Sequence, residues 1–180
     1  MKLKKILLIF GLLVGIALFF QGSGPPSLAK HRLAREADIQ VDAKTRREIQ
    51  TGFNQAEEAI RAENLEALME FYSQDYHFGH LTKDDRRQSW KDFFAQYHRI
   101  STYHSFSRIV VKPGKHATAE ITCTGSIWAT SNATTQRINL GSWLGDFHYL
   151  INEEGQWRIS GKGKLAAKTA QYGGAPPPLF

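Results

Sequence analysis

The chain has 180 residues, 42% apolar and 22% charged, which suits one globular domain with extra segments and is too short for two full domains. Its formal charge is +6, but Lys2, Lys4 and Lys5 stand apart at the start, and the remaining balance is too mild to build the dense basic face that nucleic acid demands. A single cysteine, Cys123, excludes an intramolecular disulfide and a cysteine-rich zinc site.

The three lysines precede the apolar run Ile6–Phe20, and the breaker-rich QGSGPP follows it, which is the layout of a secretory signal or an N-terminal anchor. At 15 residues the run is slightly short of the ~20 that cross a bilayer, and Ser27-Leu28-Ala29 offers small residues to a signal peptidase, so cleavage and retention both stay open. In either case positive charge stays on the inner side and the remainder is exported, to the periplasm or the extracellular space. Membrane association through residues 3–20 follows if the leader is kept. No cysteine follows the run, which excludes a bacterial lipid anchor.

Residues 1–29 are thus leader and linker. Residues 30–44 carry charge of both signs and read as a solvated helical lead-in. The folded unit spans 45–164, and 165–180, ending in YGGAPPPLF, reads as a disordered tail.

Within the unit, Ile49, Phe53, Ala56 and Ile60 recur at helical spacing and mark one buried stripe. Asn64 is placed to cap a second short helix carrying Leu65, Leu68, Met69 and Tyr72. Thr82-Lys83-Asp84-Asp85 has the form of a capping box with Asp in place of Glu, opening a third helix with Trp90, Phe93, Phe94 and Tyr97 on one face.

A meander of strands follows. Pro113-Gly114 suits a type II turn between Thr102–Val111 and Ala117–Ala129. Another strand runs from about Arg137 to Ile151, and Gln156–Lys162 closes the sheet. Strands this long must bend, and Gly125, Gly141 and Gly145 are the candidate bulge sites. Three helices followed by a curved antiparallel sheet make an α+β domain whose helices cross the mouth of a cone, a shape that encloses a pocket.

The segment Ala56–His80 (AEEAIRAENLEALMEFYSQDYHFGH), the aromatic third helix and Phe147–Ile159 (FHYLINEEGQWRI) resemble the nuclear transport factor 2-like superfamily, in particular its SnoaL-like branch. The resemblance covers about residues 45–164 and implies a cone-shaped, cystatin-like roll. That superfamily holds isomerases, dehydratases, cyclases and non-enzymatic members, so the resemblance speaks to fold more than to function. In the ketosteroid isomerases the short strand after the second helix ends in a carboxylate base, and the matching position here is His80. The oxyanion partners match Ala56 and Phe147, neither of which can donate a hydrogen bond, which disfavours steroid isomerisation. The resemblance also suggests a homodimer through the open face of the sheet.

Alternation in Asp75–His80 puts Tyr76, Phe78 and His80 on the aromatic, inward face, making His80 the tentative general acid/base; a strand-end histidine bonded to a backbone carbonyl fits the same pattern. His77 and His80 diverge on a strand and make a poor metal pair. If Asn152 pairs with Gln156 across a three-residue turn, Phe147, Tyr149 and Ile151 face inward while Asp146 and His148 face solvent; a one-residue slip reverses all five. The preferred register is the three-residue turn. The pocket set is then Phe53, Tyr72, Tyr76, His80, Trp90, His104, Cys123, Trp143 and Tyr149, with Tyr97 and Trp128 as further wall aromatics. Cys123 reads as a buried structural thiol. No phosphate loop, dinucleotide motif, nucleophile elbow or paired-carboxylate motif is visible, so no cofactor is indicated, and with His77 and His80 diverging no metal is expected.

Two functions fit this reading. One is an exported, non-enzymatic module that binds a small apolar molecule or a partner protein. The other is a cofactor-independent lyase, isomerase or cyclase working through His80.

Overall fold

The computed structural model describes residues 32–161. The leader 1–29 and the tail 165–180 lie outside them; among the described residues no helix is long and apolar enough to cross a membrane.

The first element corrects the expected helical lead-in. Residues Arg32–Gln40 form strand β1, whose Leu33 and Ile39 pack on the core and whose Asp38 meets the Arg108 guanidinium at 3.5 Å. Helix α1 (Ala43–Arg61) starts at Asp42, whose carboxylate accepts from the backbone N–H groups of Lys44 and Thr45. Its stripe Ile49, Phe53, Ala56 and Ile60 is buried, as the spacing requires. Asn64 caps α2 (Leu65–Met69) by accepting from Ala67 N–H at 3.1 Å. A small hairpin, β2 (His77–Phe78) with β3 (Leu81–Thr82), leads into α3 (Lys83–Gln96), which opens with the reciprocal Thr82–Asp85 capping box. Trp90 is buried on its inner face, while Phe93 and Phe94 are half-buried.

The sheet consists of β4 (Tyr97–Lys112), β5 (Thr118–Ser131), β6 (Arg137–Glu153) and β7 (Gln156–Ile159), an antiparallel meander with β1 added in parallel outside β4. It is therefore mixed rather than wholly antiparallel. Helix α1 packs across β4 and β7, and the core of Phe53, Phe106, Ile109, Ile121, Ile127 and Leu150 lies between them. Gly114 does not take the positive φ of a type II turn; five residues, Pro113–Ala117, connect β4 to β5 instead.

Two details of register decide which side chains enter the cone. Glu153 pairs with Gln156, so Glu154 and Gly155, with φ of 54° and 83°, make a two-residue turn of the kind that matches strand twist. This corrects the three-residue turn and its consequences, since His148 and Leu150 now face inward and Phe147, Tyr149 and Ile151 outward. The second detail is Gly145, which has φ 71° and is the extra residue between the pairs Cys123–Asp146 and Thr124–Leu144. This bulge lets Trp143 and Asp146 share the concave face although they are three positions apart.

Candidate functional site

The concave face carries alternate residues of three adjacent strands: His104 and Phe106 of β4, Ile121, Cys123 and Gly125 of β5, and Trp143, Asp146 and His148 of β6. Opposite them α1 contributes Phe53 and Glu57. Together these groups enclose a polar cluster in an apolar shell.

His104 Nδ1 donates to Glu57 Oε1 at 2.6 Å, and both side chains are buried. This bond leaves Nε2 of His104 as the lone-pair nitrogen. Burial pushes the His104 pKa down to about 3, so the imidazole is neutral at any physiological pH. Cys123 Sγ lies 2.8 Å from His148 Nε2 and accepts from the Trp143 indole N–H at 3.1 Å. Burial pushes the thiol up to about 12, which keeps it protonated and able to donate to His148. The Phe53 ring stands 5.8 Å from the His104 ring and 5.7 Å from that of His148, forming the wall between helix and cluster. One ligating atom from each of His104, Cys123 and His148 lies within 4.8 Å of the others.

Asp146 is the half-buried member at the rim, and burial pushes its carboxyl above the usual range. The Trp143 ring lies over Gly125, where an added Cβ would sit 2.3 Å from the indole; the absence of a side chain at residue 125 is what lets the tryptophan lie flat against the sheet.

A second buried set lies between α2 and α3. Trp90 N–H donates to the Tyr72 hydroxyl at 2.8 Å, and Arg86 Nη2 donates to the Tyr76 hydroxyl at 3.0 Å. Arg86 is itself 1% exposed. On the other side of α1 an open groove of about 760 Å³ is lined by Thr51, Gln55, Phe71 and Trp157, and it includes none of the cluster residues.

The expected site residues therefore divide. Phe53, His104, Cys123 and Trp143 meet in one cluster, and Tyr72, Tyr76 and Trp90 in the other. His80 belongs to neither: Gly79, at φ 61°, turns the chain immediately before it, and its side chain is exposed on the hairpin turn. The alternation that aimed it inward ends at Phe78, the last residue of β2. Tyr149 pairs with Glu120 on the outer face, and Trp128 is 40% exposed there. Phe147 is also outside, so the inward carboxyl of the late strand is Asp146.

Sequence reasoning passed over Glu57 and Arg86 as site residues, and it weighed His148 but turned it to solvent by the register it preferred. Glu57 and Arg86 each fall on an apolar helical stripe, four residues after Phe53 and four before Trp90, and a charge on such a stripe is the signal that finds them.

No protein-family model matches the chain, and no curated protein matches its sequence. Solved structures do match in fold. A conserved protein from Planctomyces limnophilus superposes with a TM-score of 0.57 at 17% identity, over 66% of this chain and 93% of its own. A candidate aromatic ring hydroxylase from Novosphingobium aromaticivorans gives 0.50 at 16%, over 67% and 87%. A candidate dehydratase of the nuclear transport factor 2-like family from Streptomyces avermitilis gives 0.49 at 14%, over 66% and 94%. At such identities the likeness is one of fold alone, an α+β roll of helices packed on a curved sheet.

Proposed function

We propose that this domain is a binding module, and that its ligand is held on the concave face by the cluster of Glu57, His104, Cys123, His148 and Trp143. The carrying observation is the burial of four hydrogen-bonding side chains, Glu57, His104, Cys123 and His148, in one apolar shell, with the half-buried Trp143 bonded to them. These groups are matched to one another within the fold, yet burying them forgoes the stability that apolar packing of the same volume would give. Recognition of a ligand repays that cost. The leader Met1–Phe20 adds export to this reading, and cell fractionation with an antibody to the folded domain tests it.

Acid–base catalysis is the second reading, and the Glu57–His104 pair favours it, since a carboxylate orients the imidazole as in many catalytic dyads. Against it stand the low basicity of His104, far from the near-neutral value that proton transfer favours, and the exposed position of His80. The relatives' names, hydroxylase and dehydratase, describe those proteins.

The test is a thermal-shift screen of metabolites and ions on the full chain, with His148→Gln in parallel. Hits that stabilise the wild type by ~2.7 kcal/mol at a hundredfold excess over Kd and vanish in the variant support the binding site. Hits that are also consumed, with turnover lost in His104→Gln, transfer the assignment to catalysis.

A further inference from the structure

Building on the binding reading, we propose that the ligand of the concave-face cluster is a borderline-soft divalent transition-metal ion, with zinc as the type, held by His104, Cys123 and His148. The donor set comes first: two imidazoles and one thiolate are the ligands such ions prefer over the harder magnesium and calcium, which take oxygen. Convergence comes second. The three ligating atoms come from three neighbouring strands yet lie within 4.8 Å of one another. Around tetrahedral zinc, with bonds of ~2.3 Å to sulfur and ~2.0 Å to nitrogen, ligand atoms stand about 3.3–3.6 Å apart. The Cys123–His148 pair, now at 2.8 Å, must open by roughly 0.7 Å on that basis, and the widest pair, within 4.8 Å, must close by up to ~1.5 Å. Side-chain rotation supplies both.

The surroundings fit as well. Glu57 accepts from Nδ1 of His104, the arrangement in which a carboxylate fixes the tautomer and orients the other nitrogen toward a metal. The Trp143 N–H on Sγ is placed to stabilise a thiolate once the thiol proton leaves. Binding is then a simple exchange in which the ion gains a bond to sulfur and one proton passes to solvent, with no change of oxidation state. The thiolate and a Glu57 carboxylate together offset the two positive charges. Asp146 and Trp143, both half-buried on the same face, mark the side from which the ion enters. His77 and His80 are exposed on the β2–β3 hairpin, which forms a two-stranded sheet of its own, and serve as the control for adventitious binding.

The experiment is an anaerobic titration of the full chain with cobalt(II), followed by displacement with zinc(II). The expected result is one equivalent bound, a sulfur-to-cobalt charge-transfer band in the near ultraviolet, intense visible bands of tetrahedral cobalt, and loss of all of them on adding zinc. Cys123→Ser abolishes the charge-transfer band. Glu57→Gln keeps it but weakens affinity ~10–100-fold, as loss of an outer partner does. His77→Ala with His80→Ala changes nothing. Because Cys123→Ser and Glu57→Gln lie in the core, each is first checked for a native circular dichroism spectrum; the wild-type titration alone suffices to overturn the proposal. A wild type without the sulfur band, or binding that disappears with His77 and His80, refutes it. If that negative result comes with organic hits lost in His148→Gln, the binding reading survives without the metal; if there is no response to either class, both fall.

Discussion

The two halves of β6 obey opposite rules. Before Gly145 the residues turned to the concave face are Gly141 and Trp143; after it they are Asp146, His148 and Leu150. The half before the bulge supplies an aromatic lid over Gly125, and the half after it supplies the polar groups that meet Cys123 and the core behind them. A strand without the bulge could do one of these but not both, because alternation would carry Phe147 and Tyr149 inward and turn His148 to solvent. One extra residue thus builds the cluster.

Gly145→Pro is the most direct way to break this difference. Proline locks φ near about −65° where residue 145 stands at 71°, so the bulge cannot form and plain alternation makes one half of β6 present its wrong face; loss of more than ~4 kcal/mol of stability, or an unfolded chain, is expected, and urea unfolding followed by tryptophan fluorescence measures it. Phe53→Ala removes the wall that both histidines share, and a cost of ~3–5 kcal/mol is expected for a fully buried phenylalanine, read as a fall in the urea midpoint at unchanged slope.

Gly125→Ala tests the upstream half alone. The new methyl would meet the Trp143 ring at 2.3 Å and the Tyr103 carbonyl oxygen at 2.4 Å, so ~1–3 kcal/mol of overpacking is expected, with Trp143→Leu relieving the first contact and not the second. A double-mutant cycle separates the two.

Acid titration sharpens the contrast between rim and helix ends. Hydrogen bonds from Thr45 and Lys44 hold Asp42 below the usual carboxylate range, and those from Thr82 do the same for Asp85. A depressed folded pKa means that the unfolded chain takes up the proton first, so this stabilisation is present above about pH 4 and is lost as pH falls through the lower folded values. Asp146 has the opposite sign: its folded pKa is raised by burial, so its contribution turns unfavourable as pH rises through the interval above 3.8. Melting curves between pH 2 and 6 are therefore expected to flatten at the acid end in Asp42→Asn and to gain stability at the upper end in Asp146→Asn. The smallest effect belongs to His80→Ala, within about 0.5 kcal/mol and without change in ligand binding, because its side chain is exposed on a turn.

The helices were open to sequence reasoning because their signals are local. The stripe from Ile49 to Ile60, the Asn64 cap and the Thr82–Asp85 box each need only neighbours within one or two turns, and all three are present. The order of helices and strands likewise sufficed for the α+β class and the antiparallel meander, but not for the parallel β1. The site was harder, since its membership depends on register, which is a relation between strands. His148 was lost to a preference of one residue in the last turn, where Glu154 accepts a left-handed backbone that its type does not advertise. His80 was aimed inward because alternation was extended two residues past the end of β2, and its side chain is exposed there. β1 went unrecognised since its sequence, rich in charge, carries little strand character; the unpaired edge of β4 provides the reason for its conformation.

That added strand also bears on how the domain behaves in a crowd. β4 is sixteen residues long, and on its outer side β1 covers the part from Ser105 to Val110. At the opposite edge, Phe71 and Ser73 exchange backbone hydrogen bonds with Ile159, and His77 N–H donates to Ser160. The hydrogen-bonding rim of the roll is thereby closed at both ends by segments from outside the meander. A long bare strand invites pairing with any similar strand it meets. The residues that lead into the first helix therefore act as a guard against sheet-to-sheet aggregation, and a chain begun at Val41 would be expected to keep its core and lose its solubility.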